Sequence, residues 1–447
     1  MIYILFICLI IVLIINYFWN KKDIISPAFV FALSFTFSCA WAVLYSQRWR
    51  LNTFHLNTFL VILGGVIWFS LICFVIKMIF RKKYYEKNES VKKTELMPIK
   101  INTLTKVFCL LLFLSVIFIS INSVINLVDG SWSNIPAALS RYDAINKFSE
   151  KQIGLPQIVW VFQLIVNALV YVCIYILINN YLCTKKFDFL LMFNILIGAC
   201  VNLTTGGRNG FVNVLLAIFA IFMLLYKKCA NEKVNINKRT IILTTIIVPV
   251  IFLIGFPFSV RLMGRKNIKN PTEYLSIYCG AEIKNLDIYL EERTNGTDKN
   301  SGKNQSFIYF NKWIGENLGY DVNYKLDLPF RSVGGYGLGN VYTTFYQYIY
   351  DYGYWGVVFC VAIMALILQI VYEMCLKVEL KKEPSILIIL YGYMFSSIVF
   401  SFFSNKFYEQ NFSNILIYNI IIWVLIKYVF RYSPAIIEKI KKLRQGR

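Results

Sequence analysis

Long apolar runs alternate with short polar, lysine-rich connections along almost the whole chain, and this alternation predicts a bundle of membrane-crossing helices. A span needs roughly 17 to 25 predominantly apolar residues, and about eleven runs meet that criterion. They fall at approximately 2–19, 27–46, 57–80, 104–128, 158–183, 187–205, 211–226, 240–259, 354–376, 385–404 and 414–430. The basic connections alternate with the others. Lys21 and Lys22, Arg81 through Lys100, Lys185 and Lys186, Lys227 through Arg239, Lys377 through Lys382, and Arg431 through Arg447 all lie on one side, which the positive-inside rule makes cytoplasmic. The parity then sets the N-terminus outside and the C-terminus inside. The outer connections are 47–56, 129–157, the Gly206, Gly207 and Arg208 turn, 260–350, and 405–413. The expected architecture is an all-α, polytopic transmembrane helical bundle: a single membrane domain over 1–447, with 260–350 as a large extracytoplasmic loop.

That loop is too long for a mere linker, since unstructured loops beyond about 15 residues are uncommon. Its interleaved aromatics, Tyr274, Tyr278, Tyr289, Phe307, Tyr309, Phe310 and Trp313, predict one or two helices lying over the outer surface. No internal repeat suggests the inverted halves of a secondary transporter.

Composition strengthens the membrane reading: 58% of residues are hydrophobic, 17% aromatic, and mean hydropathy is +0.58, far too apolar for a soluble domain. The formal charge of +22 resides mainly in short loops between spans, so it marks membrane orientation and not a nucleic-acid groove. The eleven cysteines lie almost all within or beside apolar runs, with Cys279 in the long loop, and form no disulfide framework or CxxC metal spacing. Residues 1–19 lack a charged n-region and a clear cleavage site, and predict a retained first helix.

Candidate chemistry gathers on the outer connections. The break at 203–210, Leu-Thr-Thr-Gly-Gly-Arg-Asn-Gly, puts Arg208 beside Gly206 and Gly207 just before a helix whose positive dipole end faces the turn. An anion site and a turn whose arginine reaches lipid headgroups are both open readings. Arg261 and Arg265 follow the eighth span, and Arg331 precedes the glycine-rich stretch containing Gly335. Guanidinium forks suit phosphate oxygens, and two can bracket a diphosphate; Lys266 and Lys269 read as headgroup contacts. Neither glycine cluster is a P-loop or GxGxxG, so no nucleotide cofactor is implied. The tyrosines from Tyr336 to Tyr354, Tyr342 and Tyr346 among them, form either an interfacial belt or a sugar-stacking wall. Asp351 is a base candidate or a charge near a helix start. His55, the single histidine, cannot make a zinc site and reads as an exposed loop residue.

Taken together, Thr-Gly-Gly-Arg-Asn-Gly ahead of a helix, the large late outer loop, and Gly-x-Gly-x-Gly-Asn-Val-Tyr followed by Tyr-Asp-Tyr-Gly-x-x-Gly resemble the O-antigen polymerase (Wzy) family of oligosaccharide repeat-unit polymerases. The resemblance covers most of the chain as architecture, but as motif only the segments around Arg208 and from Arg331 to Gly356. It implies a GT-C-like glycosyltransferase of the bacterial inner membrane. This enzyme would move a glycan from undecaprenyl diphosphate to an incoming lipid-linked repeat unit at the outer face, for O-antigen or capsule. Arg208, Arg331 and Asp351 would then be catalytic. Gly206, Gly207, Arg261, Arg265, Gly335, Tyr342 and Tyr346 would bind substrate, with arginines in place of a metal ion. The implied partners are undecaprenyl-diphosphate-linked oligosaccharides, the lipid bilayer, a chain-length regulator and a flippase, with no nucleic acid. Three alternatives remain: an O-antigen ligase, whose family is expected to show an outer-loop histidine working beside arginine, whereas the single His55 lies in an early short loop; a flippase or other transporter, expected to carry charges within its spans, whereas here they lie at the membrane edges; and a purely structural membrane protein, against which the glycine-framed outer arginines count.

Overall fold

The computed structural model describes residues 1–85, 96–148, 153–230, 271–295, 305–320 and 328–445, and these are helical apart from one two-stranded hairpin and short connections. Eight helices among them carry stretches long and apolar enough to cross a membrane: α1 (Ile2–Trp19), α2 (Pro27–Leu44), α3 (Leu56–Tyr85), α4 (Thr103–Leu127), α6 (Gln157–Thr184), α8 (Asn209–Ala230), α13 (Tyr354–Lys377) and α16 (Asn414–Gln445). Two further apolar runs form shorter helices, α7 (Phe189–Val201) and α14 (Ile386–Val399), each extended by a 3₁₀ turn. The run at 240–259 lies outside the described residues, as do Arg261 and Arg265. The remaining helices are α5 (Ile135–Phe148), α9 (Pro271–Cys279), α10 (Ala281–Thr294), α11 (Ile308–Leu318), α12 (Phe345–Tyr352) and α15 (Lys406–Asn411). Strands β1 (Arg331–Val333) and β2 (Tyr336–Gly339) make the hairpin. The connection expected to hold one or two helices therefore holds four and a hairpin among its described residues.

Helix boundaries follow from local chemistry. The Asn102 side chain accepts the Leu104 amide at the start of α4, and Asp188 accepts that of Leu191 at the start of α7, satisfying donors that have no partner in a first turn. Pro27 occupies the first turn of α2, where its missing N–H costs nothing. At the other end, Lys228 Nζ donates to the Cys375 and Leu376 carbonyls in the last turn of α13, at 3.1 and 3.0 Å.

The chain forms two compact units. The first comprises 1–89, 266–373 and 394–414. In it α1, α2 and α3 pack on one another, with Phe31 stacked on Phe69 at 4.1 Å and a buried Asn16 to Ser70 hydrogen bond of 2.9 Å tying α1 to α3. Inside a bilayer such a bond replaces the hydrophobic drive that lipid removes. Helix α12 enters this core through Phe345, which stacks on Phe35 and lies against Gly65, where a Cβ would fall 2.6 Å from the ring. The short link between α9 and α10 rests on the end of α2: a Cβ on Gly280 would lie 2.8 Å from Trp41 Cβ.

The second unit comprises 90–265, 374–393 and 415–447. Its described core joins α4, α6, α7 and α8, and Gly198 of α7 admits Val170 and Phe113, with a Cβ there only 2.3 Å from Val170 Cγ2. Trp423 of α16 donates to the Ala168 carbonyl at 3.0 Å, and Arg431 grips Glu383 with two bonds of 3.2 Å. Asn179 and Asn180 bind the backbone of Met97 and Ile99, holding the chain that leads into α4.

Candidate functional site

Helix α10 is the spine of the candidate site in the first unit. It is buried on nearly every face although it carries Glu282, Lys284, Asn285 and Asp287, all inaccessible or nearly so. Asn285 and Asp287 hold neighbouring segments and Lys284 pairs with Asp287, while both Glu282 oxygens have no hydrogen-bond partner among the described residues. Asn285 Nδ2 donates to the carbonyls of Leu338 and Val341, at 3.3 and 2.8 Å, fixing the exit of the hairpin. Asp287 takes the first turn of α3: the His55 backbone N–H, the Thr58 hydroxyl and His55 Nδ1 lie 3.0, 2.8 and 3.2 Å from Oδ1. Lys284 Nζ holds Oδ2 at 2.9 Å. One turn on, Glu291 Oε1 lies 3.6 Å from His55 Nε2. Glu292, the next residue, receives both prongs of Arg331 at 2.5 Å each.

The hairpin is built for a tight approach. Val333 pairs with Tyr336, so Gly334 and Gly335 form a two-residue turn with φ of +56° and +80°, the geometry that demands glycine or asparagine. A bulge separates the Arg331 to Gly339 and Ser332 to Gly337 pairs. It turns Leu338 into the core and leaves Arg331 on Glu292 and the Tyr342 hydroxyl. The turn closes one side of an open cleft of about 340 Å³, whose other side is Gln47, Arg48 and Arg50. Arg48 is paired with Glu273 and lies over the Tyr336 ring, 4.5 Å from its centroid. Arg50 lies against the turn, its Nη2 3.1 Å from where a Gly334 Cβ would be, and its exposed guanidinium has no carboxylate or side-chain hydrogen bond among the described residues. No atom lies within 4 Å of a Cβ position on Gly335, so the backbone there is open. An uncompensated guanidinium facing an open glycine turn suits an anionic oxygen.

The expected site residues divide. Arg331 is engaged by Glu292 and Tyr342, and so holds the hairpin in place. Tyr342 and Tyr346 are buried, their rings tilted against each other at 4.2 Å with Tyr289 edge-on to Tyr346 at 4.5 Å. The spacing of four puts Tyr346 and Tyr350 on one face of α12, which turns inward, and Tyr342 is buried just ahead of that helix; Tyr352, Tyr354 and Trp355 are the exposed rings. Asp351 accepts the amides of Gln305 and Ser306 at 3.0 and 2.6 Å, so both its oxygens serve the backbone. Burial pushes its carboxyl above the usual range, against the lowering effect of those bonds. Gly335 is in the cleft.

In the second unit, Arg208 caps α8, its carbonyl accepting the Val212 amide at 3.2 Å. Gly206, with φ +78°, is there for close packing: a Cβ would sit 2.5 Å from the Leu139 carbonyl oxygen and 2.7 Å from Asp143 Cβ, both on α5. Gly210 likewise abuts the Asn202 amide, while Gly207 is open. Below the turn Gln163 donates to Ser120 and Thr204, at 2.9 and 3.2 Å.

The sequence reading missed three residues. His55 is not a loose loop residue but is seated on a carboxylate 232 positions away, which no local pattern announces. Arg48 and Arg50 read as ordinary flanking charge, and only the folded hairpin opposite them makes a cleft.

A family model for O-antigen polysaccharide polymerase Wzy matches residues 1–279 of the 447, a stretch that takes in Arg48, Arg50, His55 and Arg208 and stops at the end of α9. No curated protein and no solved structure matches the chain.

Proposed function

Because this chain belongs to the Wzy family of O-antigen polysaccharide polymerases, a multi-pass membrane family, we propose that it joins undecaprenyl-diphosphate-linked oligosaccharide repeat units into O-antigen or capsular polysaccharide at the outer face of the inner membrane. The observation that carries this reading is the family match across more than half the chain. The alternation of basic connections supports the orientation, with 260–350 outside.

The donor's leaving group is a lipid diphosphate, whose negative charge grows as the glycosidic bond forms. Oriented cationic donors stabilise such charge as a metal ion would. Arg50, facing the open Gly334 and Gly335 turn, is in position to do this, with Arg48 beside it held by Glu273. Arg331 sets the hairpin on α10 through Glu292 and acts as a positioning residue. Arg208 at the head of α8 is a second anion ligand, proposed on its own sequence setting. A chain-length regulator and a flippase supply length control and substrate.

The test is the banding of surface polysaccharide from cells lacking the protein. A single repeat unit on core, restored to a long ladder by the intact gene, is the expected result. Bare core would transfer the assignment to a ligase or a flippase.

A further inference from the structure

Forming a glycosidic bond from a sugar hydroxyl releases a proton, and several carboxylates of the first unit are already committed among the described residues. Glu273 is tied to Arg48, Glu292 to Arg331, and Asp351 to two backbone amides. Glu282 is fully buried, out of reach of any hydroxyl. Resting on the polymerase reading above, we infer that His55 is the general base that deprotonates the attacking hydroxyl of the incoming repeat unit, with Asp287 as its positioning residue.

The geometry dictates the tautomer. Asp287 is 0% exposed, and its Oδ1 accepts from the His55 backbone N–H and from Thr58 while Oδ2 accepts from Lys284. An oxygen held as an acceptor in this way takes a hydrogen from the ring, so in the neutral imidazole the 3.2 Å contact puts the proton on Nδ1 and the lone pair on Nε2. The His55 side chain is 35% exposed, so Nε2 is reachable, and Glu291 Oε1 at 3.6 Å is just beyond hydrogen-bonding range. The ring is thus oriented from behind by a buried carboxylate and open in front. Only the short 3₁₀ turn Leu51–Thr53 and its flanks separate His55 from Arg50, so the backbone keeps the two within about 18 Å at full extension and closer in a turn.

In the step, the hydroxyl proton moves to Nε2 as the oxygen bonds to the anomeric carbon. The bond from that carbon to the phosphate oxygen breaks, and its electron pair leaves with the lipid diphosphate. The imidazolium then returns the proton to the departing diphosphate or to water.

A structural role, pinning α3 to α10, would account for the same contacts, and the variants separate the two. His55→Ala removes the ring; His55→Asn keeps a donor for Asp287 but has no nitrogen at the Nε2 position. Purified full-length protein in detergent is given undecaprenyl-diphosphate-linked repeat units extracted from cells lacking it, and the initial rate of ladder formation is read. Binding of radiolabelled undecaprenyl diphosphate is measured in parallel. General-base catalysis contributes about 100- to 10,000-fold, so both variants should lose at least about 100-fold in rate while the lipid diphosphate affinity stays within about threefold. Added imidazole should restore part of the His55→Ala rate and leave wild type unchanged. A His55→Asn protein within about threefold of wild-type rate, or a His55→Ala protein that loses rate and binding together with no imidazole rescue, would overturn the inference. A wild-type protein that makes no ladder at all would strike at the polymerase reading instead.

Discussion

Replacing Arg331 by alanine removes two hydrogen bonds of 2.5 Å to Glu292 and one of 2.9 Å to the Tyr342 hydroxyl. Hydrogen bonds to charged partners contribute roughly 1.5–3 kcal/mol. The Glu292 side chain is 38% exposed, so solvent screening brings the net coupling down to about 1–2 kcal/mol. If the pair acts by seating the hairpin opposite Arg50, Arg331→Ala and Glu292→Ala each slow polymerisation, by about five- to thirtyfold for that energy. The double variant is then scarcely slower than either single one, because both remove the same strut. Arg331→Lys recovers little, since an ammonium cannot bridge both carboxylate oxygens. The assay is the initial rate of ladder formation by purified protein, with tyrosine fluorescence or limited proteolysis reporting the hairpin. Were Arg331 itself a ligand of the donor diphosphate, Glu292→Ala would free its guanidinium and leave the rate unchanged or raised. That result, or additive losses, would refute the reasoning.

Arg50→Ala should weaken binding of lipid diphosphate and lower the rate; oxyanion donors contribute about 2.7–4 kcal/mol in dry sites, and the exposure of this cleft puts the expected loss at roughly ten- to a hundredfold. Arg50→Lys should restore it partly, and an unchanged affinity in Arg50→Ala would remove the cleft from the donor site. Arg208→Ala should abolish long-chain banding with membrane insertion intact, whereas normal banding would make 203–210 a turn and no more. Gly206→Ala should lower the unfolding midpoint, because its φ of +78° and the 2.5 Å approach of the Leu139 oxygen leave no room for a methyl group; an unchanged midpoint would contradict the packing described. Glu282 is buried with no hydrogen-bond partner for either oxygen among the described residues, and burial pushes its carboxyl well above the usual range. The folded protein then holds a proton that the unfolded chain releases above about pH 4, so this group withdraws stability as pH rises from there through its folded value. Thermal midpoints of wild type should therefore fall faster with rising pH than those of Glu282→Gln, and equal slopes would argue against a buried titrating carboxyl.

The spans were legible because twenty apolar residues in a row have few other uses, and the boundaries at Trp19, Pro27 and Lys377 agree with the runs to within a residue or two. The runs at 187–205 and 385–404 read as full spans, but the helices end at Val201 and Val399 in 3₁₀ turns. The apolar count does not register that tightening. Glycines were legible as special but not in their roles. Gly206 and Gly210 admit neighbouring chain, while Gly335 is open, and the difference depends on what α5 and Asn202 do nearby. Ionic partnerships were not legible at all: Arg331 finds Glu292 across 39 residues and His55 finds Asp287 across 232, and only the fold brings them together. The tyrosine series carried a readable signal in its four-residue spacing, which marks one helix face, yet spacing alone does not say whether that face meets sugar or core. Here Tyr346 meets Tyr289 on one side and Tyr342 on the other.

The most direct measurement is reconstitution: purified protein in lipid vesicles, undecaprenyl-diphosphate-linked repeat units as the only glycan, and a chelator present throughout. The account predicts a ladder of products rising in steps of one repeat unit, with release of undecaprenyl diphosphate in equal number, abolished in Arg208→Ala and strongly reduced in Arg50→Ala. Repeat units that remain single, or that are consumed only when lipid A core or a divalent cation is added, would contradict it.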